Sequence, residues 1–138
     1  MDKRVKALWI EALESGEYEQ HIGQLRYQYE AQKPVFCCLG VLCEVAIKDG
    51  LDIEFDPERD SYDEYIAFLP GKVQKWAGLG SGEQGDDWDD SGQLPIPVKY
   101  ALGTGEYEEN GTATTLLALN DSANYTFAQI AKVIEEQF

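Results

Sequence analysis

The sequence predicts a single α+β domain, mainly helical, with a few short strands. Three observations carry this. Apolar residues recur at helical spacing near both ends of the chain. The most apolar run, Phe36 to Ile47, lies between them and holds all three cysteines. The segments between are short, alternate apolar with polar residues, and are broken by Asp, Pro and Gly. The core helices are expected near residues 3–15, 38–49 and 126–137.

The first helix rests on Val5, Leu8, Trp9, Ala12 and Leu13, an i, i+3, i+4, i+7, i+8 stripe. Asp2 suits the N-cap and Gly16 the stop. Residues 17–24 are polar and read as a loop. Leu25 to Glu30 alternates and reads as a short strand. Pro34 favours an extended lead-in over 35–37. Cys38, Leu42, Val45 and Ala46 then share one helical face, with Glu44 and Lys48 opposite and Gly50 as the stop. Alternation at 51–55 predicts a strand ended by Asp56-Pro57, and 65–68 a further one. Leu69-Pro70 opens a short helix over 71–77, with Val73, Trp76 and Ala77 inward.

Residues 78–93 form an acidic, glycine-rich loop within the single domain, 1–138. Prolines at 95 and 97 make 94–98 extended. Residues 103–111 read as a second glycine-bearing loop. Thr114 to Leu119 is a short helix stopped by Asn120-Asp121. Thr126-Phe127-Ala128-Gln129 is a capping box, and Phe127, Ile130, Ala131, Ile134 and Phe138 line the last helix.

Composition narrows the function. The 138 residues include 26 acidic and 11 basic ones, a formal net charge of −15. So acidic a surface repels DNA, RNA and anionic membranes, and suits basic partners or mimicry of nucleic acid. No run is long and apolar enough to span a membrane, and the N-terminus lacks a signal-like apolar region. Three cysteines clustered on one apolar helix suit a reducing cytoplasm rather than a disulfide.

The cysteines invite two chemical readings. At a helix N-terminus, Cys37 or Cys38 has its thiolate favoured by the helix dipole. Cys38-Leu39-Gly40-Val41 loosely resembles the nucleophile helix of papain-like and cell-wall-peptidase cysteine enzymes, in which the histidine base usually follows the cysteine. Here the sole histidine, His21, precedes it in a polar context. The plainer reading is three buried cysteines acting as small hydrophobes. Their spacing matches no structural zinc pattern. Asp87 to Leu94 fits the first half of a calcium loop, but its twelfth position is Val98, where a bidentate glutamate is needed. No metal and no cofactor is expected.

Arg26 stands beside Tyr27 and Tyr29, equipment for gripping a phosphate and stacking a base, and Lys33, Lys72, Lys75 and Lys99 could add charge. The plainer reading of Arg26 is an internal ion pair. Asn120 and Asp121 read either as turn residues or as contacts to ligand hydroxyls or amines.

Five motifs occur in order: Leu8-Trp9-x-x-Ala12-Leu13-x-Ser15-Gly16, Leu25-Arg26, Phe36-Cys37-Cys38-Leu39-Gly40-Val41-Leu42-Cys43, Leu69-Pro70 with Val73-x-x-Trp76-Ala77-Gly78-Leu79, and Leu116-x-x-Leu119-Asn120-Asp121 with Phe127-x-x-Ile130-Ala131-x-x-Ile134-Glu135. Together they resemble a widespread group of small phage-encoded proteins without an assigned activity. The resemblance implies a phage setting inside the bacterial host, where accessory proteins of this size often counter host defence. The leading expectation is a non-enzymatic protein that binds and sequesters a small nucleotide-derived immune signal through Arg26, Tyr27, Tyr29, Asn120 and Asp121, with a homo-oligomer as one way to complete the pocket. The alternatives are an acidic, DNA-mimicking inhibitor of a basic host protein, and a cysteine hydrolase using Cys37 or Cys38.

Overall fold

In the computed structural model the described residues are 1–79, 95–96 and 114–138. The acidic loop over 80–93, the half calcium loop, Lys99 and the loop over 103–111 lie outside them. The order is α1 (Lys3–Glu14), β1 (Glu19–Gln20), β2 (Arg26–Tyr27), β3 (Val35–Phe36), α2 (Cys38–Lys48), β4 (Phe55–Asp56), β5 (Ser61–Tyr62), α3 (Gly71–Trp76), β6 (Pro95–Ile96), β7 (Thr114–Thr115), α4 (Leu116–Asp121) and α5 (Phe127–Gln137). This is the predicted small, single-domain α+β fold.

The cap chemistry explains why the long helices start where they do. The Asp2 carboxylate accepts from the Val5 amide at 2.9 Å. Thr126 and Gln129 form the reciprocal capping box of α5. Helix α2 is buried along almost its whole length, from Cys38 to Ala46 with only Glu44 half-exposed. Helices α1 and α5 lay their apolar stripes against each other, and α1 also packs on α2. The Trp9 indole N–H donates to the Cys38 carbonyl at 3.0 Å, which pins α1 to the first turn of α2. Arg4 makes a bidentate pair with Asp49 at 2.7 and 2.8 Å, joining the start of α1 to the end of α2.

The first sheet has β3 at its centre, parallel to β1 and antiparallel to β2. Arg26 pairs with Phe36 and Tyr27 with Val35. Helix α2 crosses this sheet closely enough that a Cβ on Gly40 would sit 1.7 Å from the Leu25 carbonyl oxygen. Gly40 is therefore the residue that lets the central helix seat. Two further pairs, β4 with β5 and β6 with β7, are antiparallel.

Several boundaries differ from the sequence reading. The polar segment 17–24 contains β1, whose pairing with β3 is non-local and leaves no periodic trace. The strand expected at 51–55 forms only at its end, as Phe55–Asp56, and pairs with Ser61–Tyr62. Residues 65–68 contribute a single bridge, Tyr62 to Tyr65, in place of a strand. Pro70 is the N-cap of α3 rather than its first turn. Trp76 packs against the core as expected but stays half-buried, its indole N–H reaching Asp49 at 3.1 Å. Asn120 and Asp121 end α4 instead of following it.

Candidate functional site

The sequence-predicted residues separate into three places. The first is a polar knot at the N-terminus of α2. Asn120 is 1 % exposed, and all four of its hydrogen-bonding positions are used. Its Oδ1 accepts from Gln20 Nε2 at 2.9 Å and from the Cys38 amide at 3.2 Å. Its Nδ2 donates to the His21 carbonyl at 2.9 Å and to Asp121 Oδ1 at 2.8 Å. Gln20 goes on to the Tyr125 carbonyl and accepts from the Phe127 amide at the start of α5. Asn120 therefore acts as the missing cap of α2, tying β1, α2, α4 and α5 together, and offers no free atom to a ligand. Asp121 is half-buried beside it.

Cys37 and Cys38 stand against this knot, and Cys43 lies further along α2. Cys37 is the N-cap residue of α2, in extended conformation and without a side-chain capping bond. Burial pushes its thiol up to about 12, and the neighbouring Gly40 and Leu39 amides, which favour the thiolate, do not offset that. The thiols of Cys38 and Cys43 are also raised by burial. All three are fully buried and free. Cys38 Sγ faces the Leu116 carbonyl at 3.9 Å. The His21 ring, which a hydrolase would need as base, instead stacks on Tyr27 at 5.9 Å between ring centroids. The dipole argument for a reactive cysteine has the right sign, but desolvation is larger.

The second place is a cleft beside α2. Arg26 is 11 % exposed in its side chain and forms an ion pair with Asp60. Its guanidinium also donates to Gln28 Oε1 at 2.9 Å and lies 4.7 Å over the Phe55 ring. A cavity of about 300 Å³ opens beside it, lined by Tyr18, Arg26, Lys33, Phe36 and Lys48 together with Glu17 and Glu44. Lys48 Nζ donates to the Tyr18 hydroxyl at 2.8 Å, a bond that raises the lysine pKa and keeps it charged. Lys33 is exposed and has no ion-pair partner among the described residues. Glu44 is held from behind by the buried Tyr62 hydroxyl at 2.7 Å, whose own pKa burial drives strongly up. A second cavity of about 330 Å³ adjoins this one, sharing Glu17, Tyr18 and Lys48 and continuing over Leu8, Ala12 and Val45.

The third place is an open groove at the turn after β2. Tyr27 and Tyr29 line it with Glu30, Ala31 and Gln32. Successive residues of a strand point to opposite faces, so Tyr27 leaves the sheet on the side away from Arg26. The structure thus divides the expected Arg26–Tyr27–Tyr29 grip between two faces. Lys72 lies elsewhere, 3.7 Å from Asp63.

Tyr18, Phe36 and Lys48 were not legible as cleft residues. Lys48 read as the solvent side of α2, and Tyr18 fell in a featureless polar loop. Among the acidic residues at 54–64, Asp60 serves Arg26, while Asp63 accepts from the Glu54 amide and faces Lys72.

A family model matches residues 1–138. The chain belongs to that family, Domain of unknown function (DUF8296). No curated protein and no solved structure matches the chain. The DUF8296 architecture is thus described by the elements above. No helix among its described residues is long and apolar enough to cross a membrane.

Proposed function

We propose that the protein is a phage-type accessory protein that counters host defence by capturing a small nucleotide-derived signal in the cleft beside α2, without turning it over. One observation carries the reading. In a chain with net charge −15 and only 11 basic residues, Arg26, Lys33 and Lys48 line a single cavity, where they outnumber its two carboxylates, Glu17 and Glu44. An anionic ligand approaching this protein works against the global field, so capture requires such a local concentration of cations. Tyr18, held edge-to-face against the buried Phe36 ring, adds aromatic surface for a base. The cavity volume lies at the lower end of small-ligand sites, roughly 300–1,000 Å³. The adjoining cavity over Leu8, Ala12 and Val45 gives a longer ligand, such as a cyclic dinucleotide or an ADP-ribose derivative, somewhere to extend. The buried, protonated thiols support binding over turnover.

Calorimetry against a panel of cyclic nucleotides and ADP-ribose derivatives tests this, followed by denaturation and recovery of the ligand. The expected result is saturable binding of at least one member, recovered intact. No binding across the panel, or recovery of a cleaved product, overturns it.

A further inference from the structure

The groove after β2 has a chemistry unlike that of the cleft. Tyr27 and Tyr29 are 37 % and 48 % exposed, with ring centroids 4.5 Å apart and planes at 73°. They form two walls of a corner. His21 backs Tyr27 in a stacked arrangement and meets Tyr29 edge-on at 6.4 Å. The turn is closed by the Gln32 amide donating to the Tyr29 carbonyl at 2.8 Å, and Gln28 Nε2 reaches the Gln32 carbonyl at 3.2 Å. The open groove has a volume of about 520 Å³. Glu30 sits on its rim, and among the described residues it is exposed without an ion-pair partner and no Lys or Arg lines the groove.

We propose that this corner of Tyr27, Tyr29 and Glu30 binds a methylated ammonium group. The negative faces of two tyrosine rings attract a cation within about 6 Å of their centroids. A carboxylate at the rim adds a direct Coulomb attraction, and the net charge of −15 enriches cations around the whole molecule. Exposed rings compete poorly with water for a compact, strongly hydrated ammonium. A methylated ammonium, weakly hydrated and with an apolar skin, loses less on leaving water and gains more from the ring faces. The same features disfavour a phosphate, so the groove and the cleft beside α2 take opposite ligands. The two assignments stand independently.

The probes are choline and its neutral isostere 3,3-dimethylbutanol, titrated separately while the tyrosine ring resonances are followed by NMR. Choline shifts the Tyr27 and Tyr29 rings saturably, and the isostere does not. Tyr29→Leu weakens choline binding about two- to fivefold, the worth of one exposed cation–π contact. Glu30→Gln weakens it less and flattens its salt dependence. Circular dichroism on both variants confirms that the fold is intact. A trimethyl-lysine peptide run alongside distinguishes the sources: tighter binding than choline assigns the ammonium to a protein side chain, and equal binding assigns it to a free metabolite. Equal response to choline and the isostere, or no saturable shift with either, overturns the proposal.

Discussion

The knot around Asn120 and the cleft around Lys33 both lie against α2 and do opposite things. In the knot every polar side-chain atom of Asn120 and Gln20 has a partner inside the protein, and apart from neighbouring Asp121 the residues Asn120 holds lie 82 to 100 positions away. In the cleft the charged groups are only partly engaged: Arg26 is paired, Lys48 leans on a tyrosine, and Lys33 has no ion-pair partner among the described residues. A polar group whose valences are closed by its own chain holds the fold. A polar group left open to a cavity is what a ligand can use.

The largest expected effect concerns the thiols beside the knot. A rise from 9.0 to about 12 leaves Cys37 about a thousandfold less thiolate at neutral pH than an unperturbed cysteine. Iodoacetamide at pH 7 should label none of the three cysteines except through unfolding, and all three in denaturant. One rapidly labelled native thiol would break the comparison and restore the hydrolase reading.

Next comes the seat of α2. Gly40→Ala forces a Cβ into the Leu25 carbonyl and should cost about 3 kcal/mol or more, enough to abolish folding if the domain is marginal. Urea denaturation or a loss of soluble yield reads it. Asn120→Ala leaves the Cys38 amide and the His21 carbonyl without partners and should cost about 2–4 kcal/mol. In that variant the Cys38 amide should exchange faster with solvent. At the small end, Lys33→Ala should shift stability by no more than about 0.5 kcal/mol because it is exposed, and Tyr29→Ala by about 0.5–1.5 kcal/mol, the worth of its edge contact with Tyr27. A large loss from either would place it in the structural set and blur the distinction.

The sequence was most readable where the physics is local. The Asp2 cap, the Thr126–Gln129 box and the stripes of α1 and α5 depend on residues within a turn or two of each other. The core role of the Phe36–Ile47 run followed from its continuous apolarity. The knot was invisible for the opposite reason: Gln20 sits in a polar loop, and nothing near it announces a bond to residue 120. Asn120-Asp121 marked the end of α4 to within two residues, but the amide's role as a cap for another helix is a tertiary fact. Adjacency misled at Arg26-Tyr27-Gln28-Tyr29. In a strand, neighbours face apart, so Arg26 joined Phe36 and Phe55 while the tyrosines joined His21.

The most direct test of the division is amide NMR mapping of the isotope-labelled protein, titrated with the nucleotide that binds most tightly in the panel. The account predicts perturbations centred on Tyr18, Arg26, Lys33, Phe36 and Lys48, with Gln20, Asn120 and Cys38 undisturbed. Perturbations centred on Asn120, Asp121, His21 and Cys37, with the cleft residues silent, would contradict it.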